Sequence, residues 1–202
     1  MLRRPLAVAV RCLAAAVALL PAAARAQVHF DNLSGGNGAA YAGHSENGFD
    51  VATTGGAWFE AHVFGNPVPS IFGGPIGSPS LSSLFVTRTG GGAFTFGSVD
   101  LVSQNGRSSY QIIGYSGINS VFTMNGFLGS STTFETIFST NPATLIDGLS
   151  IAIDPIGQPT SFNLDNIEVI AATSSVPEPA TLLLTAAGML AVAGAARRRR
   201  AI

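Results

Sequence analysis

Ten carboxylates and three histidines lie between residues 27 and 173, and their spacing decides what chemistry this stretch can do. His29, His44 and His62 stand apart, without the His-x-His or His-Glu-x-x-His spacing that puts two imidazoles on one metal ion. The run Gly114-Tyr115-Ser116-Gly117 is one residue short of the Gly-x-Ser-x-Gly turn that presents a nucleophilic serine, and its surroundings read as strand. Gly90-Gly91-Gly92 precedes a strand-like run, so no helix start follows to receive a phosphate. Cys12 is the only cysteine and sits in the apolar N-terminal segment, which leaves the rest without a thiolate nucleophile, a cysteine zinc site or a disulfide. No catalytic residue is expected and the protein reads as a non-enzyme.

Aromatic side chains offer a second kind of chemistry. Trp58, Tyr110 and Tyr115, with Tyr41, are candidates to stack on the apolar faces of sugar rings. The competing reading of Trp58, within Ala57-Trp58-Phe59-Glu60-Ala61-His62-Val63, is core packing, and for a lone tryptophan in such a run it is the stronger one.

Short β-type runs must position these residues. Segments 28–33, 48–53, 58–64, 84–87, 93–102, 110–115, 120–128, 133–138, 149–153 and 162–170 are apolar or alternate with period two, and no sustained 3.6-residue period appears. Asn37-Gly38, Asn47-Gly48, Asn105-Gly106 and Asp147-Gly148 punctuate them as turns. This predicts an all-β, jelly-roll-like β-sandwich over residues 27–173. Gly97-Ser98 interrupts the alternation of Phe94, Phe96, Val99 and Leu101, as a bulge would. In 162–170 strict alternation mixes apolar and polar residues on both faces. The stretch 65–79, rich in glycine and proline, reads as a surface loop.

Phe30-Asp31-Asn32-Leu33, Phe94-x-Phe96-x-Ser98-x-Asp100-Leu101, Gly114-Tyr115 and Phe162-x-Leu164-Asp165-Asn166-Ile167-x-Val169 together resemble the carbohydrate-binding-module-like, galactose-binding-like jelly rolls. In such folds the first and last strands often lie side by side, which would bring Asp31 and Asp165 together as oxygen ligands for a structural calcium. The alternative is that both Asp-Asn pairs are solvent-facing turn or edge residues, and the lack of regular ligand spacing favours it.

The chain ends carry addresses. Residues 1–26 combine Arg3, Arg4 and Arg11, an apolar run over 13–20 and Ala24-Arg25-Ala26, the three parts of a secretory signal peptide cut by signal peptidase. Residues 174–202 hold Pro177, Glu178 and Pro179, then an uncharged stretch over 180–196, then Arg197, Arg198, Arg199 and Arg200. As a helix the stretch is roughly 26 Å long, close to a bilayer core once arginines snorkel, and predicts a single transmembrane helix. The arginines should stay cytoplasmic, which leaves the domain on the far side of the membrane. The two prolines hold 176–179 extended, as a protease cleft requires.

Pro-Glu-Pro, apolar helix and arginine cluster, in that order at a C-terminus, resemble the PEP-CTERM sorting domain of Gram-negative bacteria. The resemblance implies recognition by exosortase, cleavage near the prolines, and a destination at the cell surface or extracellular matrix beside exopolysaccharide and biofilm.

Of the ten basic residues, all arginine, only Arg88 and Arg107 lie outside the two terminal segments. Ten of the eleven acids share that middle region, giving it a formal charge of −8. Such a domain repels nucleic acid, which is excluded as a partner. The expectation is an exported structural or adhesive protein with carbohydrate as its ligand. The alternatives are a secreted hydrolase of polysaccharide or ester bonds and a permanently anchored periplasmic binding domain.

Overall fold

A computed structural model describes residues 25–74, 81–157 and 160–172. The chain divides into two units, Met1–Ala172 and Thr173–Ile202, and every described residue belongs to the first. The expected transmembrane helix, the sorting motif and most of the expected signal peptide lie outside the described residues.

Thirteen strands make up the described part: β1 (Arg25–Val28), β2 (Ala40–Tyr41), β3 (Gly43–Glu46), β4 (Phe49–Gly55), β5 (Trp58–Ala61), β6 (Ser70–Gly73), β7 (Ser82–Arg88), β8 (Phe94–Ser103), β9 (Arg107–Ser116), β10 (Asn119–Leu128), β11 (Glu135–Phe138), β12 (Gly148–Ile156) and β13 (Phe162–Ala171). They form a seven-stranded sheet in the order β11-β8-β13-β6-β5-β2, with β1 also on β13, and a six-stranded sheet in the order β10-β9-β12-β7-β4-β3. Every strand pairing is antiparallel. The expected all-β sandwich is the observed architecture.

Alternation builds the core between the sheets. Phe94, Phe96, Val99 and Leu101 of β8 and Phe162, Leu164, Ile167 and Val169 of β13 are fully buried on one face, and Leu84, Val86, Ile112, Leu149, Ile151 and Ile153 meet them from the other sheet. Edge-to-face rings add to this core, Phe49 on Phe94 at 5.3 Å between the sheets and Trp58 on Phe162 at 5.5 Å within the seven-stranded sheet. The Trp58 indole N–H also donates to the Ser83 carbonyl of the opposite sheet at 3.1 Å.

The phase of β13 is set by two offsetting bulges. Gly97 of β8 is skipped where Ser98 pairs with Glu168 and Phe96 with Val169, as the sequence predicted. On β13 an extra residue falls between Asp165 and Glu168, and Asn166 there adopts φ 48. That second bulge turns Ile167 and Val169 onto the face of Phe162 and Leu164, so strict alternation misassigns them.

Three strands were not expected, namely β2, β3 and β6. β6 lies inside the stretch read as a loop: Ser70–Gly73 pairs with β5 on one side and with Phe162, Asn163 and Leu164 on the other. β1 also departs from expectation. It ends at Val28, because Phe30 takes φ 64 and the chain turns, held by the Leu33 N–H on the Phe30 carbonyl. Cleavage after Ala26 would leave Gln27 and Val28 of β1, paired with Glu168 and Ile167.

Candidate functional site

Two polar arrangements stand out, one on the outer face of each sheet. On the seven-stranded sheet, β8 runs along one edge of β13, while β6 and then β1 follow each other along its other edge. Their junction falls at Asp165 and Asn166, and Asn66 of the β5–β6 loop fills it. Its N–H donates to Asp165 Oδ2 at 2.7 Å, and its carbonyl accepts from Asn166 Nδ2.

Asp165 lies opposite Asp100 in the ladder and Asp100 lies opposite Thr136, so the three form a row across β13, β8 and β11. Asp165 is fully buried, and Asp100 is 6% exposed. Each carboxylate oxygen is met by a donor. Asp165 Oδ1 accepts the Asn166 N–H at 2.8 Å, Asp100 Oδ2 accepts from the amides of Asn66 and Asn166 at 3.1 and 2.9 Å, and Asp100 Oδ1 accepts the Thr136 hydroxyl at 2.6 Å. His29 Nδ1–H donates to Asn166 Oδ1 at 2.9 Å. Burial pushes the Asp165 carboxyl up to about 7, the Asp100 charge adds to the rise, and the two backbone N–H donors oppose it.

Of the two residues expected to share calcium, Asp165 is thus buried on β13, whereas Asp31 is exposed in the turn after β1. The N–H donors aimed at Asp165 hold the lone pairs that a cation would need. Among the described residues no group of three or more His, Cys, Asp or Glu is placed to hold a metal ion.

The outer face of the six-stranded sheet is different in kind. With Ile112, Leu149, Ile151 and Ile153 pointing inward, their neighbours Ser109, Gln111, Ile113 and Tyr115 on β9 point outward. Across the ladder these meet Phe127, Asn125 and Thr123 on β10, and Asp154, Ala152 and Ser150 on β12. Gln111 donates to Asn125 at 2.9 Å. At one end Tyr115 contacts Phe85 at 5.9 Å, and the Phe85 ring lies over Gly148, where an added Cβ would meet it at 2.4 Å. At the other end Phe127 is 62% exposed, with the Arg107 guanidinium 5.0 Å from its ring centre. Tyr115 and Ser109, the partner of Phe127, are six residues apart, roughly 20 Å. Ser109, Gln111, Asn125, Phe127, Ala152 and Asp154 contribute to the lining of a depression of about 430 Å³ at the Phe127 end of this face.

The residues expected to stack on sugar are dispersed. Tyr115 lies on this face. Tyr110 is half-buried and faces inward over Gly126, whose added Cβ would lie 2.3 Å from the tyrosine oxygen. Its hydroxyl is held above its ordinary pKa by burial and by Glu135. Trp58 is 2% exposed in the core, in line with the packing alternative. Tyr41 is also buried, with its hydroxyl on His44 Nδ1 at 2.8 Å, and burial and the charges of Glu46 and Glu60 keep it protonated. Phe85, Arg107, Gln111, Asn125 and Phe127 were not anticipated. Carrying the alternation of 110–115 and 120–128 through to an outer face would have placed the last three beside Tyr115.

Among solved structures the chain is similar to a family 29 carbohydrate-binding module from Piromyces equi, at 11% identity over 78% of this chain and 97% of that one with a TM-score of 0.41. It is similar to the family 32 module of C. perfringens NanJ in complex with galactose, at 13% identity over 59% and 93% with a TM-score of 0.41. It is likewise similar to TmCBM61 in complex with β-1,4-galactotriose, at 8% identity over 61% and 88% with a TM-score of 0.41. No curated protein sequence matches it. Residues 175–200 match the PEP-CTERM protein-sorting motif.

Proposed function

We propose that this protein is an exported, non-catalytic carbohydrate-binding protein of the cell surface or extracellular matrix. Exosortase delivers it by acting at residues 177–179, and it serves a structural or adhesive role beside exopolysaccharide. The sorting half rests on the motif at residues 175–200. The binding half rests on one observation, the outer face of the six-stranded sheet, where Tyr115 with Phe85 and Phe127 with Arg107 flank the neutral Gln111–Asn125 pair. Aromatic faces meet the C–H faces of sugar rings, and amides and hydroxyls bond their hydroxyls; neither needs a formal charge. Calcium has no part in this reading, and chelation should leave the melting temperature unchanged.

Intact-mass spectrometry of protein recovered outside the cells tests the sorting half. A C-terminus near Pro177, Glu178 or Pro179 is expected; retention of Arg197 to Arg200 would make the protein a permanent anchor instead. A glycan array tests the other half. Binding to at least one neutral glycan, lost in Phe127→Ala, is expected, and an array without signal would overturn it.

A further inference from the structure

β10 is a long, charge-free edge. Among the described strands, β1, β2, β3 and β11 also lie at sheet margins, with four residues or fewer each, short enough to offer little to an incoming strand. β10 has ten residues, with no charge and no proline. Its pairing with β9 is irregular only between Ser120 and Phe122, so residues 122–128 form an unbroken template whose outer edge carries unpaired backbone groups.

We infer that this edge is a dimer interface, in which β10 pairs antiparallel with β10 of a second copy of this chain about a two-fold axis. Three features favour a copy over a foreign strand. First, the regular segment is self-complementary when centred on Asn125. Thr123 then faces Phe127 of the partner subunit, Asn125 faces Asn125 of the partner subunit, and Phe122 faces Leu128 of the partner subunit. The last pair extends the core, since Phe122 and Leu128 are both buried on the inner face.

Second, residues 107–128 hold Arg107 and no carboxylate, so the paired strands bring no acids of their own together, and Glu135 of β11 is the acid near this edge, acting on Tyr110. Third, a groove of about 420 Å³ runs beside Thr123, Met124 and Asn125 and is bounded by Thr136, Ile137 and Phe138 of β11. Phe138 is 71% exposed on its rim. The groove accepts side chains from the incoming strand while the backbones pair. The two six-stranded sheets would become one, and their outer faces one surface.

A single cysteine at the axis tests this directly. Opposed residues of an antiparallel pair lie about 4.5–5.5 Å apart at Cα, within disulfide reach. In the full-length chain made in its own host, with Cys12 replaced by serine, Asn125→Cys should give a disulfide-linked dimer on non-reducing gels that collapses with reductant. Ala40→Cys, exposed on the β2 edge, should remain monomeric. The wild-type protein should sediment as a dimer at micromolar concentration, with a melting temperature that rises with protein concentration, and Thr123→Lys should shift it to a folded monomer whose melting temperature no longer depends on concentration. A monomeric Asn125→Cys under oxidant, its cross-linking to a chain of another mass, or monomeric wild-type sedimentation would each overturn the proposal. Sedimentation of the wild type decides the matter even if a variant fails to accumulate.

Discussion

Asp100 and Asp165 face each other across the β8–β13 ladder, and Asn66 and Asn166 each reach both carboxylates with an N–H. Burial of Asp165 disfavours its charged form, and the Asp100 charge opposite it adds to that cost. Asp165 carries the consequence, with its carboxyl at about 7 against an ordinary 3.8. A folded-state value above the unfolded one means that the native domain keeps a proton which the unfolded chain releases. Stability therefore falls as pH rises from about 4 to about 7, by on the order of 4 kcal/mol, and is lowest above that window. Thermal melts at pH 5 and pH 8 should differ by several degrees in favour of pH 5. Asp165→Asn should flatten that difference, although its amide would turn an N–H toward one backbone donor.

Asn166 is held by three side-chain bonds in a left-handed conformation. Asn166→Asp keeps its shape but adds a third carboxylate and removes the donor to Asp100. A loss of about 2–3 kcal/mol is expected at pH 8, with partial recovery at pH 5, where the cluster takes up protons. Chemical denaturation at the two pH values checks the sign.

Trp58 and Phe127 should separate stability from binding. Trp58→Ala removes a buried ring packed on Phe162 and its bond to Ser83, at a cost of about 3–5 kcal/mol. Phe127→Ala, at an exposed position, should change stability by less than about 1 kcal/mol yet weaken glycan binding. Denaturant midpoints together with glycan titrations distinguish the two.

The β-strands were legible because most alternate apolar residues against turn dipeptides, and the ten predicted runs all overlap observed strands. β3 was hidden because Gly43-His44-Ser45-Glu46 has no apolar face; Glu46 is buried through its bonds to the Phe30 N–H and His44. β6 was hidden behind the glycine and proline around it. The Asp100–Asp165 pair was illegible for another reason. The two residues are 65 positions apart, and what opposes them is the register of the unbroken run that pairs Phe162–Asp165 with Ser103–Asp100, which local spacing does not carry. Tyr115 was named among the stacking candidates and is half-buried on the outer face, Phe127 follows from carrying the alternation of its own run outward, and Phe85 joins them through sheet order, which local spacing does not carry.

Gly148 keeps the aromatic end of the outer face in place. In Gly148→Ala the new methyl group would occupy the position of the Phe85 ring, which must swing away from its contact with Tyr115. Because Phe85 is only half-buried, stability should fall by no more than about 1–2 kcal/mol. Glycan affinity should fall several-fold in calorimetry, and an unchanged affinity would remove Phe85 from the site.

Affinity electrophoresis of the protein through gels containing its host's own exopolysaccharide tests the central claim most directly. The account predicts that the wild type is retarded, that Tyr115→Ala and Phe127→Ala migrate as in a gel without polysaccharide, and that Asp165→Asn is retarded like the wild type. Equal, unretarded migration of all four proteins would contradict it.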